Sequence, residues 1–255
     1  MIKDTVPAVE SAMSVPRWRS VLFVPAHVPR FVETAPERGA DGVILDLEDS
    51  VPQDQKAESR RKLRESVAKV RRKGASVLVR VNRSLRAPWR SIWMQPWWQV
   101  LMHLFFLIRI RRSGYQRSRM PYWNLNERNL VQGRIRFLVQ IETPRSFAKT
   151  HRHCLGSSQD ACNGAWFSRL QCRCWRCAGI RPPVDAESFG SVCRPRGRLL
   201  PLGFIGSLGD FSDIYKLREA AAPARRLGFA GALAIHPTQV AIFNEAFSPS
   251  AQELE

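Results

Sequence analysis

The sequence predicts an α/β fold around a parallel sheet. Three observations carry that expectation. Apolar runs of strand length alternate with stretches of helical period. The stretch Gly39 to Val51, GADGVILDLEDSV, places the carboxylates Asp46, Glu48 and Asp49 at the end of the apolar run Val43-Ile44-Leu45. The 255 residues suit one large domain, since barrels of alternating strand and helix commonly run to about 250 residues. A buried strand that ends in acids is how such a barrel builds an active site at its mouth.

Val21-Leu22-Phe23-Val24 reads as the first strand, ended by Pro25, and Phe31 to Arg38 as a short helix closed by Gly39. Gly42 to Leu47 is the second strand. After Pro52, Asp54 caps a charged helix in which Ala57, Leu63, Val67 and Val70 keep helical spacing, and Gly74 stops it. Val77 to Asn82 is the third strand, again finishing in polar residues. From Arg86 to about Val131 neither period is clean. Order resumes with Arg136 to Glu142, a strand ending in an acid before Thr143-Pro144, and lapses again from about His151 to Arg198. Pro201 to Ser207 then reads as strand and Ser212 to Leu227 as a helix stopped by Gly228. Gly231 to Ile235 is the last strand, with His236-Pro237 at its end. If windows 86–131 and 151–198 each replace one strand-and-helix unit, the result is a TIM-type (β/α)8 barrel whose units four and six are poorly specified. Residues 1–16 are then a flexible N-terminal segment and 17–255 a single barrel domain, with both windows disordered or misformed.

The formal net charge of +18 would ordinarily direct attention to nucleic acid or an anionic membrane. Its distribution argues against that. Each window holds eight Arg and no Lys, although the chain has seven Lys. All six Cys fall in the second window, and seven of the eight Trp lie across the two. A basic surface normally uses Lys as well as Arg. Arg, Trp and Cys without Lys is the composition of GC-rich coding sequence read out of frame. Two internal frame disturbances account for it better than a divergent insert. No nucleic-acid partner is expected, and no membrane. Met1 to Pro16 lacks the apolar centre of a secretory signal. The run Ile92 to Ile108 is broken by Gln95, Pro96, Gln99 and His103, and falls short of the roughly 20 residues needed to span. A cytoplasmic protein with reduced thiols is the expectation.

Two rival constellations lie in the windows. His151, His153, Cys154, Cys172, Cys174 and Cys177 match zinc in ligand type but not in the ordered pairs that a zinc module presents. Arg109, Arg111, Arg112, Arg117 and Arg119, with Phe105, Phe106 and Tyr115, support an alternative function: a non-catalytic basic protein that binds polyanions through phosphates and stacking. No recognisable nucleic-acid fold surrounds them.

Several motifs recur in a fixed order: Arg19-Ser20-Val21-Leu22-Phe23-Val24-Pro25, GADGVILDLEDSVP, Val79-Arg80-Val81-Asn82, Gln140-Ile141-Glu142-Thr143-Pro144, and Ala234-Ile235-His236-Pro237 before Phe247-Ser248-Pro249-Ser250. Together they resemble the citrate lyase β-subunit-like family of the HpcH/HpaI aldolase superfamily, over about residues 17–85, 132–150 and 199–255. The resemblance implies a TIM-type barrel, usually a homotrimer, that makes or breaks a carbon–carbon bond beside a CoA or acyl-carrier thioester, with Mg²⁺. It implies that Glu142 is one of the metal's carboxylates and that Arg80 clamps the substrate's carboxylate or oxo-acid end. Asp46 and Glu48 are then catalytic groups at the mouth, orienting metal-bound water or their neighbours. Arg19, Arg30 and the His236-Pro237 turn line the CoA or substrate site.

The sequence departs from that pattern in two places. The second metal carboxylate would fall inside the second window, where no acid occurs between Asp160 and Asp185. The chain also stops at Glu255, soon after FSPS, where relatives continue into a helical segment that packs on a neighbouring subunit. The expectation is therefore a lyase scaffold with impaired activity and weak metal binding.

Overall fold

The computed structural model describes residues 17–80, 105–110, 136–141, 165–168, 200–204, 212–226 and 228–250. Its strands are β1 (Ser20–Pro25), β2 (Gly42–Asp46), β3 (Ser76–Arg80), β4 (Phe105–Ile110), β5 (Arg136–Ile141), β6 (Ala165–Ser168), β7 (Leu200–Leu202) and β8 (Ala232–Ala234). Its helices are α1 (Pro29–Thr34), α2 (Lys56–Arg61), α3 (Leu63–Val70), α4 (Ile214–Arg226) and α5 (Pro237–Phe247). The fold is α/β. All eight strands run parallel in one sheet, in the order β7-β6-β5-β4-β3-β2-β1-β8.

Every residue of β2 is buried, as a parallel strand covered on both faces requires. Turns after α1 and α3 end on Gly39 and Gly74, whose φ values of 71° and 80° lie in the left-handed region that glycine enters without strain. Leu63, Val67 and Val70 give α3 its buried stripe. Asp54 does not cap this stretch: Pro52 precedes the first turn and no side-chain cap bond forms.

Windows 86–131 and 151–198 contain β4 and β6 respectively. Neither strand has a readable period, because FFLIRI and AWFS are short stretches without the two-residue alternation that marks a strand. The helix α5 was not expected either, since its apolar residues do not keep to one stripe. The expected segment 1–16 lies outside the described residues. Among the described residues no helix is long and apolar enough to cross a membrane.

One face of the sheet carries a continuous apolar cluster. Val21, Ile44, Leu78, Leu138, Leu202 and Leu233, each from a different strand, cluster with Trp18, and Phe23 packs against them. The two ends of the strand order meet as well. Leu202 of β7 bridges Gly231, just before β8, and the Gly203 N–H donates to the Gly231 carbonyl at 2.8 Å.

Candidate active site

Side chains alternate along a strand, so Asp46 shares a face with Ile44, and Arg80 with Leu78. Both therefore emerge on the core-bearing face, one layer above the apolar cluster, at the carboxyl ends of β2 and β3. The strand register sets Asp46 directly beside Arg80. Arg80 Nε donates to Asp46 Oδ1 at 2.7 Å, and Nη2 donates to Oδ2. The two side chains are 8% and 2% exposed, so the pair is buried.

Asp46 also organises the loop that follows it. Its Oδ1 accepts from the Glu48 N–H at 2.8 Å and its Oδ2 from the Ser50 N–H at 3.1 Å. Burial alone would raise the Asp46 carboxyl, but hydrogen bonds and charge from Arg80, with Ser50 and Glu48, outweigh it and hold the group below the ordinary carboxylate range. Asp46 stays ionised in consequence. Two further carboxylates face the guanidinium at longer range: Glu48 Oε2 lies 3.7 Å from Nε and Asp49 Oδ2 lies 3.6 Å from Nη1. Beneath it the Phe23 ring centroid lies 4.9 Å from Arg80 Cζ, in cation–π geometry.

The remaining predicted residues are dispersed. His236 begins α5, just past β8 and at the same end of the sheet as Arg80. It is the helix cap: Nδ1 accepts from the Thr238 N–H at 3.4 Å, and Gln239 Oε1 accepts from the N–H groups of Ile235 and His236 at 2.8 and 3.2 Å. Pro237 is the first helical residue, where its missing N–H costs nothing. Arg30 is exposed on α1, its Cζ 5.3 Å from the Phe31 ring centroid. Glu142 lies outside the described residues.

Arg19 is placed at odds with the expectation that it lines the substrate site. It precedes β1 and sits at the amino ends of the strands, opposite Arg80. Its guanidinium grips Asp41 at 2.8 and 2.9 Å and donates to Ser248 Oγ at 3.2 Å. Burial works against the Asp41 charge, yet the bonds from Arg19 prevail and lower its carboxyl below the ordinary range. Both partners are thus committed to joining β1, β2 and the end of α5.

Phe23 and Asp49 are parts of the cluster to which the sequence reading gave no role. Their signal was present: Phe23 shares the two-residue alternation of the core face, and Asp49 lies in the acidic run. A cavity of about 310 Å³ opens between α1 and the α2–α3 face, lined by His27, Val32, Ser59 and Lys62 among others, apart from the Arg80 cluster. Among the described residues no group of three or more His, Cys, Asp or Glu side chains could hold a metal ion. Asp46 in particular has both oxygens engaged.

Residues 19–95 match the model of the HpcH/HpaI aldolase/citrate lyase family. That stretch contains Asp46, Glu48, Asp49 and Arg80. The chain is 27% identical to a (3S)-malyl-CoA thioesterase of Cereibacter sphaeroides over 246 residues, covering 93% of this chain and 80% of that protein. In fold it is similar to RipC from Yersinia pestis, with a TM-score of 0.63 and 20% identity over 95% of this chain and 100% of that one. It is also similar to the citrate lyase β subunit from M. tuberculosis complexed with oxaloacetate and magnesium, with a TM-score of 0.59 and 21% identity over 93% of this chain and 98% of that one.

Proposed function

We propose that this chain is a Mg²⁺-dependent carbon–carbon lyase of the citrate lyase β type. It cleaves a hydroxyacyl-CoA or acyl-carrier thioester to an oxo acid and an acyl thioester, and its own turnover is impaired. The observation that carries this reading is the Arg80 guanidinium, fixed by Asp46 at the carboxyl end of β3 within the stretch that matches the family.

Cleavage of a β-hydroxyacyl thioester produces an enolate and an oxo acid, so the reaction is favoured by fixed positive charge beside developing oxyanions. Arg80 receives the carboxylate of the oxo-acid part through its planar fork, which suits a carboxylate better than a lysine's point charge does. Asp46 and Glu48 hold that fork in place. Arg30 and the His236-Pro237 turn face the carrier end. Glu142 would hold Mg²⁺; the roles given to the other side chains do not depend on it. Closure of the sheet as a full (β/α)8 barrel, a homotrimer and a cytoplasmic location belong to the same reading. The reading gives Arg19 its bonds to Asp41 and Ser248 and asks no substrate contact of it. The composition of windows 86–131 and 151–198 supports the impairment.

The purified protein should release only traces of glyoxylate and acetyl-CoA from malyl-CoA in the presence of Mg²⁺. Turnover should rise sharply once both windows are recoded in the frame that restores family-like sequence. Malate and free CoA as the products, after recoding, would make the protein a thioesterase and retire the lyase reading. Robust turnover before recoding would retire the impairment.

A further inference from the structure

We propose that Phe23 is a positioning residue for Arg80: its ring steadies the guanidinium at the carboxyl end of the sheet without taking a hydrogen-bond donor from it. This rests on the role given to Arg80 under the proposed function. Asp46 holds one edge of the guanidinium, through the 2.7 Å bond from Nε and the bond from Nη2. Two bonds along one edge fix that edge and still let the planar group tilt about it. The Phe23 ring supplies a second point of support, with Arg80 Cζ over the ring at 4.9 Å from its centroid. The face of an aromatic ring carries negative potential and attracts a cation, more strongly where water is scarce. The Arg80 side chain is only 8% exposed.

Packing alone does not call for an aromatic residue at this position. The strand residues of the cluster below, Val21, Ile44, Leu78, Leu138, Leu202 and Leu233, are all aliphatic, and Phe23 lies half-buried against them. A leucine would continue that layer. What the ring adds is its attraction for the guanidinium. A further carboxylate hydrogen-bonded to Arg80 would steady it too, but by neutralising its charge and occupying its N–H groups. A ring accepts none of the five N–H donors and leaves the group fully charged. The fork is thus held in place with its charge available to an incoming carboxylate, as a clamp for an oxo acid requires.

The test uses the intact protein, with the Arg80 Nε–H resonance as reporter and pyruvate as probe. Phe23→Leu keeps an apolar side chain and removes the ring, whereas Phe23→Tyr keeps the ring. In Phe23→Leu the Arg80 Nε–H should exchange with water roughly fivefold faster, and pyruvate should bind roughly fivefold more weakly by calorimetry. Phe23→Tyr should match the unsubstituted chain in both. Unchanged Nε–H exchange in Phe23→Leu overturns the positioning role. Equal acceleration in the two variants overturns it as well, because the effect then comes from packing. So does a pyruvate affinity that Phe23→Leu leaves intact while the Arg80 resonance still moves on binding. If exchange responds as expected but pyruvate leaves the Arg80 resonance still in every variant, Phe23 keeps its hold on Arg80 and the clamp reading alone falls.

Discussion

Asp46 illustrates how one residue can look catalytic in sequence and act first as a structural anchor. It ends β2 beside Arg80, and its two oxygens accept from the guanidinium and from two backbone N–H groups. Removing one member of a buried ion pair leaves the other charge unpaired, at a cost of about 3–5 kcal/mol. Asp46→Ala should fall in that range by denaturant unfolding, and a loss under about 1 kcal/mol would show that the pair is not buried in solution. The pH dependence has a definite sign. The Asp46 carboxyl is lowered in the folded protein, so its contribution is complete above the unfolded value of about 3.9. It is lost as pH falls below that value through the folded one. The stability difference between the unsubstituted chain and Asp46→Asn should therefore shrink on acidification in this window and hold steady above about pH 5. Asp41 titrates in the same direction, but it contributes equally to both proteins and cancels.

At the scale of elements, the strands β2 and β3 were legible because their ends are marked twice, by an apolar run and by charged residues that follow it. Arg19 shows the limit of reading a place in the fold from motif neighbours. Its motif neighbours suggested the site, whereas strand direction decides the matter: in a parallel sheet, a residue just before β1 lies at the end opposite one just after β2. The His236-Pro237 turn was located but not understood, because His is not among the common helix caps and the cap becomes visible only with Gln239. Gln239 is fully buried and satisfies the N–H groups of Ile235 and His236. Gln239→Ala strands both donors in the interior, so it should cost about 2 kcal/mol of stability. Gln239→Glu keeps the accepting oxygen and should recover most of that loss. Equal destabilisation by the two substitutions would exclude the cap as the cause.

For the whole molecule, the parallel alternation could be read over the stretches that carry the family motifs and nowhere else. The two strands inside the Arg-rich windows became visible through pairing: β4 joins β5 along six positions, a long-range relation that local period cannot reveal. The bridge between β7 and the residue before β8 was equally hidden, since it runs through a glycine that no strand period marks. Gly231 accepts from the Gly203 N–H after β7, and the next residue, Ala232, donates to the Arg19 carbonyl before β1. A Cβ at position 231 would overlap the Trp18 carbonyl oxygen, which is backbone and has no rotamer by which to retreat. A Cβ on Gly39, by contrast, meets nothing within 4 Å and faces the strain of its positive φ alone. Gly39→Ala should therefore cost about 1 kcal/mol. Gly231→Ala must push β8 from β1 and loosen the contact with β7, and should cost about 3 kcal/mol. Urea unfolding of the two variants side by side measures the difference. If Gly231→Ala proves no worse than Gly39→Ala, the strand order does not close through this residue, and the apolar cluster beneath Arg80 is held from one side only.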